Sequence, residues 1–125
     1  MFVNPVGWFE IYVQDMSRAI RFYETIFETK LLQLNAPFPE IELWSFARAE
    51  KQYGTNGALV KMTGVHSGGS STIVYFKCFD CAIEASRVVS AGGQVMRPKM
   101  SIGEYGFISL FLDSEGNMIG LHSIQ

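Results

Sequence analysis

Two thiols spaced as Cys78-x-x-Cys81 are the arrangement in this sequence with the most familiar chemistry, dithiol redox exchange or half of a zinc site. Neither role suits the surroundings. A redox pair wants both thiols at a helix N-terminus, whereas Cys78 closes a strand-like segment and only Cys81 enters the helix that follows. No second C-x-x-C completes a zinc site. The chain also lacks a phosphate-binding glycine loop, a Ser-His-Asp order, an H-E-x-x-H and a glycine-rich dinucleotide turn. His66 falls in a glycine- and serine-rich stretch and reads as a solvated loop residue. Trp8, Trp44, Phe46 and Tyr75 would make stacking walls for an aromatic ligand, although large aromatics on strands more often build core. Ser101-Ile-Gly-Glu-Tyr-Gly106 suits either a mobile rim over a pocket or a plain connection.

The whole chain must supply whatever positions these groups. Its 125 residues, 48% of them apolar, suffice for one core and are too few for two ordinary domains. Ten basic and twelve acidic residues, scattered along the sequence, give a net charge of -2. No basic stripe marks a nucleic-acid or anionic-membrane partner. Apolar runs such as Ile108 to Leu112 are strand-length, far below the roughly 20 residues that span a bilayer. Nothing at Met1-Phe2-Val3-Asn4-Pro5 resembles a secretory leader. These features predict a soluble, cytoplasmic protein.

One unit is legible twice. Trp8 to Gln14 alternates as a strand and ends at Asp15, a good helix N-cap. From Met16, apolar residues at Ala19, Ile20, Tyr23, Ile26 and Phe27 recur at three- and four-residue intervals, predicting an amphipathic helix. Strands are expected at Leu31 to Asn35, Ile41 to Arg48 and Ala58 to Met62, divided by Pro37, Pro39 and the polar stretch from Ala49 to Gly57. Residues 64–71 form the one linker-like segment. A strand from Thr72 to Phe79, Asp80 as a second cap, and a helix from Cys81 to about Ala91 stopped by Gly92-Gly93 then repeat the order. Strands at Gln94 to Arg97, Phe107 to Leu112 and Met118 to Ser123 complete it, the last two joined by a hairpin over Asp113 to Asn117. Laying Asp15 on Asp80 aligns the two halves. The simplest parse is α+β, two βαβββ modules at about 6–63 and 72–124 within a single domain; an ordinary α+β sandwich is the competing architecture.

Strand, Asp, then a helix containing Phe22-Tyr23, with Glu115-Gly-Asn-Met-Ile-Gly-Leu-His122 near the end, resembles the vicinal oxygen chelate superfamily, the glyoxalase, bleomycin-resistance and dioxygenase group. The resemblance runs from about Val6 to Ser123. It implies an open, curved mixed sheet, a half-barrel around a cavity, in which metal-dependent members present one ligand from each of four strands. The ligand seven residues before the capping Asp falls here on Trp8, and its second-half equivalent on Ile73. The terminal-strand Glu is replaced by Gly120, and its first-half counterpart falls at about Leu59. None of these side chains can ligate a metal.

Two positions further along each strand, facing the same cavity if alternation holds, are Glu10, Lys61, Tyr75 and His122. The resemblance therefore points to a site with Glu10 and His122 as acid/base or recognition pair, Lys61 orienting an anionic group, and Trp8 and Tyr75 as further substrate contacts. Against it stands a plainer reading, in which Glu10 pairs with Lys61, His122 is a hydrogen-bonded core histidine and Tyr75 only caps the barrel. A displaced Glu10/His122 metal site is disfavoured because two ligands seldom suffice. The expected function is metal-independent binding or modification of a small organic molecule, without cofactor, by a homodimer. A glyoxalase-like lyase or isomerase, a dioxygenase-like enzyme, or an interaction module with a vestigial pocket are the alternatives.

Overall fold

A computed structural model of the chain describes residues 4–51, 54–69, 71–114 and 116–125. It divides into two compact units, Trp8–Thr72 and Ile73–Gln125 with the segment up to Gly7.

The first unit is built on β1 (Val6–Tyr12), α1 (Met16–Phe27), β2 (Leu32–Leu34), β3 (Ile41–Ser45) and β4 (Ala58–Met62). Its strands lie in the order β2-β3-β4-β1, antiparallel except that β1 runs parallel to β4. Asp15 caps α1 as its residue type predicts, one carboxylate oxygen accepting from the Arg18 amide at 3.0 Å. That hydrogen bond is the main reason the Asp15 carboxyl is held below its ordinary pKa. The apolar stripe of α1 covers one face of the sheet: Val13, Met16, Leu31 and Leu59 form the buried centre, with Ile11, Ala19, Ile20, Tyr23, Trp44 and Phe46 packed around them. Phe27, expected on this stripe, is instead 62% exposed at the last turn. The side chain of Ile26 lies outside the described residues.

The second unit repeats the plan with β5 (Thr72–Lys77), α2 (Cys81–Ala85), β6 (Gln94–Ser101), β7 (Phe107–Leu112) and β8 (Met118–Ser123). Its order is β5-β8-β7-β6, and β5 runs parallel to β8 as β1 does to β4. The two βαβββ halves therefore share one connectivity, and the fold is α+β. Asp80 caps α2 through the Ala82 amide at 3.0 Å and also accepts from Lys99 Nζ at 2.9 Å. Lys99 is the larger reason that the Asp80 carboxyl is held below its ordinary range.

Three expectations are corrected. The helix predicted to reach about Ala91 ends at Ala85, and tighter turns follow, with Arg87, Val88 and Gly92 amides bonded three residues back. There the Ser86 and Ser90 hydroxyls take the Ile83 and Arg87 carbonyls, and Val88-Val89 adds β-branched stiffness. β6 runs four residues past the predicted Arg97 because it is an edge strand, where Pro98 removes no needed donor; register shifts surround it. β3 stops at Ser45 rather than Arg48. The hairpin between β7 and β8 forms as expected, Asp113 accepting from the Asn117 amide at 2.9 Å; Glu115, like Ser70 of the linker, lies outside the described residues. Among the described residues no helix is long and apolar enough to cross a membrane.

Candidate functional site

The period-two alternation of β1 puts Trp8, Glu10 and Tyr12 on one side of the strand. There the half-buried Glu10 carboxylate accepts from Trp8 Nε1 at 3.3 Å and from the buried Tyr12 hydroxyl at 3.0 Å. Each donor takes a different oxygen, so the carboxylate is fixed in orientation by its own strand. Tyr12 was not among the sequence candidates, although the alternation that paired Trp8 with Glu10 also reaches it.

Register decides what else shares that side. Glu10 stands opposite Ala58, Ile11 opposite Leu59 and Tyr12 opposite Val60. Leu59 therefore lies on the other face, fully buried in the α1 core, and Lys61 lies on that face too, exposed. The expectation that Lys61 accompanies Glu10 does not hold, because the unanchored loop before β4 shifted the sequence alignment by one residue, and one residue inverts a strand. The first-half counterpart of Gly120 is Ala58: Glu10 pairs with Ala58 as Tyr75 pairs with Gly120. Trp44 and Phe46 likewise belong to the helix-facing side, where Trp44 Nε1 donates to Glu42 at 2.8 Å and Phe46 meets Tyr23 edge-on at 5.5 Å. His66 is an exposed loop residue whose Nδ1 lies 3.2 Å from Gln14 Oε1.

In the second unit, α2 covers the face of β8 that carries Ser123, whose hydroxyl accepts from the Cys81 amide at 3.0 Å. Tyr75, Gly120 and His122 lie on the opposite face. The Tyr75 ring rests on Gly120 so closely that a Cβ there would stand 2.4 Å from ring carbon Cδ1. Gly120 is thus a close-approach glycine. His122 Nε2 lies 2.6 Å from the Tyr105 carbonyl oxygen. A carbonyl only accepts, so Nε2 is the donor in this contact. Tyr105 belongs to a short 3₁₀ turn, Gly103–Tyr105, so the suspected rim is tied down by His122.

Cys78 and Cys81 are both free thiols. Burial pushes the Cys78 thiol up to about 11, and the nearby Glu84 carboxylate adds to the shift. Such a thiol is a poor nucleophile, which agrees with the sequence argument against dithiol chemistry.

The metal implied by the resemblance does not fit these residues. Its four positions hold Trp8, Ala58, Ile73 and Gly120, and the Tyr75 ring fills the space into which a ligand at position 120 would extend. Among the described residues, no group of three or more His, Cys, Asp or Glu side chains is placed to hold a metal ion.

A comparison with curated proteins finds no significant match. Solved structures share the fold at low identity. Methylmalonyl-CoA epimerase from Streptomyces coelicolor, in complex with 2-nitronate-propionyl-CoA, superposes with a TM-score of 0.66 at 13% identity, over 95% of this chain and 93% of that one. The epimerase from Mycobacterium tuberculosis gives 0.66 at 14% identity, over 95% and 87%. A hypothetical protein from Bacillus halodurans gives 0.69 at 12% identity, over 93% and 91%. The family model for the Glyoxalase/Bleomycin resistance protein/Dioxygenase superfamily matches residues 6–121. With that match spanning nearly the whole sequence and the βαβββ unit present twice, the chain belongs to the glyoxalase/bleomycin resistance protein/dioxygenase superfamily.

Proposed function

We propose that this chain is a metal-independent member of its superfamily that binds a small organic molecule, as a cytoplasmic homodimer. The observation that carries the reading is the Tyr75 ring seated on Gly120: one ligand position is not merely mutated but filled by a neighbouring side chain. Trp8 and Glu10 offer an aromatic surface and an oriented carboxylate on the first unit, and Tyr75 and His122 share one face of the second. The hydrogen bonds that hold Glu10 and His122 favour recognition over proton transfer, since preorganised polar groups among apolar ones are the usual make-up of a binding site. The pairing reading takes support from β2 and β6, the outer strands of their sheets, whose unpaired backbone edges invite a second copy.

Elemental analysis of purified protein, with a thermal melt before and after chelator, tests the metal-free part. No stoichiometric divalent metal and an unchanged melting temperature are expected. About one metal per chain, with destabilisation on its removal, would overturn it. Ligand-induced thermal shifts in a small-molecule screen test the binding part.

A further inference from the structure

Across the β3–β4 pair of the first unit, Glu42 stands directly opposite Lys61, on the same side of the sheet as α1. Cross-strand neighbours of opposite charge, with Cβ atoms about 4.5–5.5 Å apart, ordinarily attract one another. Among the described residues ion pairs form at Lys30–Glu24 and Lys99–Asp80, but none joins Glu42 to Lys61. The Glu42 carboxylate turns to its own strand instead, one oxygen accepting from Trp44 Nε1 at 2.8 Å. The Asp15 carboxyl, lowered chiefly by its bond to the Arg18 amide and least by Lys61, is committed to capping α1. Two opposite charges are thus held side by side without closing on each other.

Both line a cavity of about 390 Å³. Gln14 closes one flank of it: its Nε2 donates to the Val65 carbonyl at 3.1 Å and its Oε1 accepts from His66 Nδ1 at 3.2 Å, which ties the loop after β4 to the end of β1. Met62 and Val65 add apolar surface, and Glu40 adds a second carboxylate just before β3.

We infer that this cavity binds a free α-amino acid with an apolar side chain, at a site separate from the Glu10 face and independent of the function proposed for it. An α-amino acid carries ammonium and carboxylate on one carbon, so it can set the first on Glu42 and the second on Lys61 across a single pair of strands, each through a charge-assisted hydrogen bond. The Trp44 bond fixes one Glu42 oxygen and leaves the other to the ligand. A purely anionic ligand meets Glu40 and Glu42, and a purely cationic one meets Lys61; a zwitterion satisfies both signs. The volume is at the small end of the roughly 300–1,000 Å³ usual for ligand pockets.

Calorimetric titration with L-methionine, its methyl ester and N-acetyl-L-methionine tests this, since the three share a side chain and differ in charge. The free amino acid should bind roughly tenfold more tightly than either blocked form, the scale of one charge-assisted hydrogen bond. Glu42→Gln keeps an oxygen for Trp44 and removes only the charge; it should abolish the advantage over N-acetyl-L-methionine and keep that over the ester. Lys61→Met keeps the aliphatic stem and should do the reverse. If one variant fails to fold by circular dichroism, the other decides. No binding of L-methionine at millimolar concentration, a blocked form that binds as well as the free one, or a preference that survives in the variant that should lose it would each overturn the assignment. A ligand of the Glu10 face should bind both variants as it binds wild type, so the function proposed above would stand.

Discussion

The ring of Tyr75 covers Gly120 on the neighbouring parallel strand, leaving no room for a Cβ. The Tyr75 ring and any side chain at position 120 therefore compete for one space. Gly120→Ala should destabilise the protein by ~1–3 kcal/mol, the usual cost of overpacking a filled site. Chemical unfolding of Gly120→Ala, Tyr75→Leu and the double variant measures it. The penalty at 120 should shrink when Tyr75 is shortened; purely additive costs would mean that the ring is not what excludes the side chain.

The two donors on Glu10 predict a second coupling. Tyr12→Phe removes one of them and should cost about 1 kcal/mol, a typical net hydrogen bond. In a Glu10→Ala background the same substitution should cost clearly less, because the acceptor is already gone. Equal costs in both backgrounds would show that the Tyr12 hydroxyl is not held by Glu10.

Cys78 should resist alkylation at neutral pH. Its thiol lies near 11 rather than the ordinary 9.0, so iodoacetamide labelling of folded protein should rise only as pH approaches 11, whereas unfolded chain labels at an ordinary thiol rate. Glu84→Gln should move the labelling curve to lower pH. The sign for stability follows from the raised value: above pH 9 the unfolded thiol loses its proton before the folded one, so this group's contribution falls between pH 9 and about 11. Fast labelling at Cys78 at neutral pH would contradict the raised thiol value.

Asp80 both caps α2 and holds Lys99, which in turn lies 4.7 Å from the Phe107 ring. Asp80→Asn keeps a capping oxygen and loses the ion pair; Asp80→Ala loses both and should be the less stable of the two. Because the folded-state value lies below the ordinary 3.8, the stability from this carboxylate is present above that pH and is lost as pH falls through the lowered value. Wild type and Asp80→Asn should accordingly converge in acid, as urea unfolding across pH would show. A constant gap would separate the effect from the Asp80 charge.

Much of the fold was legible because its signals are local. Asp15 and Asp80 announce their helices through side-chain acceptors within three residues, and the period-two runs around Phe9 and Val74 announce the strands. Where local signals compete, prediction failed: serines at 86 and 90 and the Val88-Val89 pair undid the second half of a helix that Gly92-Gly93 appeared to end.

By itself the sequence determined the order of elements, their caps, the duplicated plan and the absence of metal donors at Trp8, Ile73 and Gly120, since each depends on residue type and short spacing. Only the tertiary structure decided which β4 residue faces Glu10, that Tyr75 occupies the space beside Gly120, and that His122 bonds the Tyr105 carbonyl. These are pairings between strands or across a loop. A slip of one residue between Ala58 and Leu59 leaves every local pattern intact yet moves Lys61 to the other face.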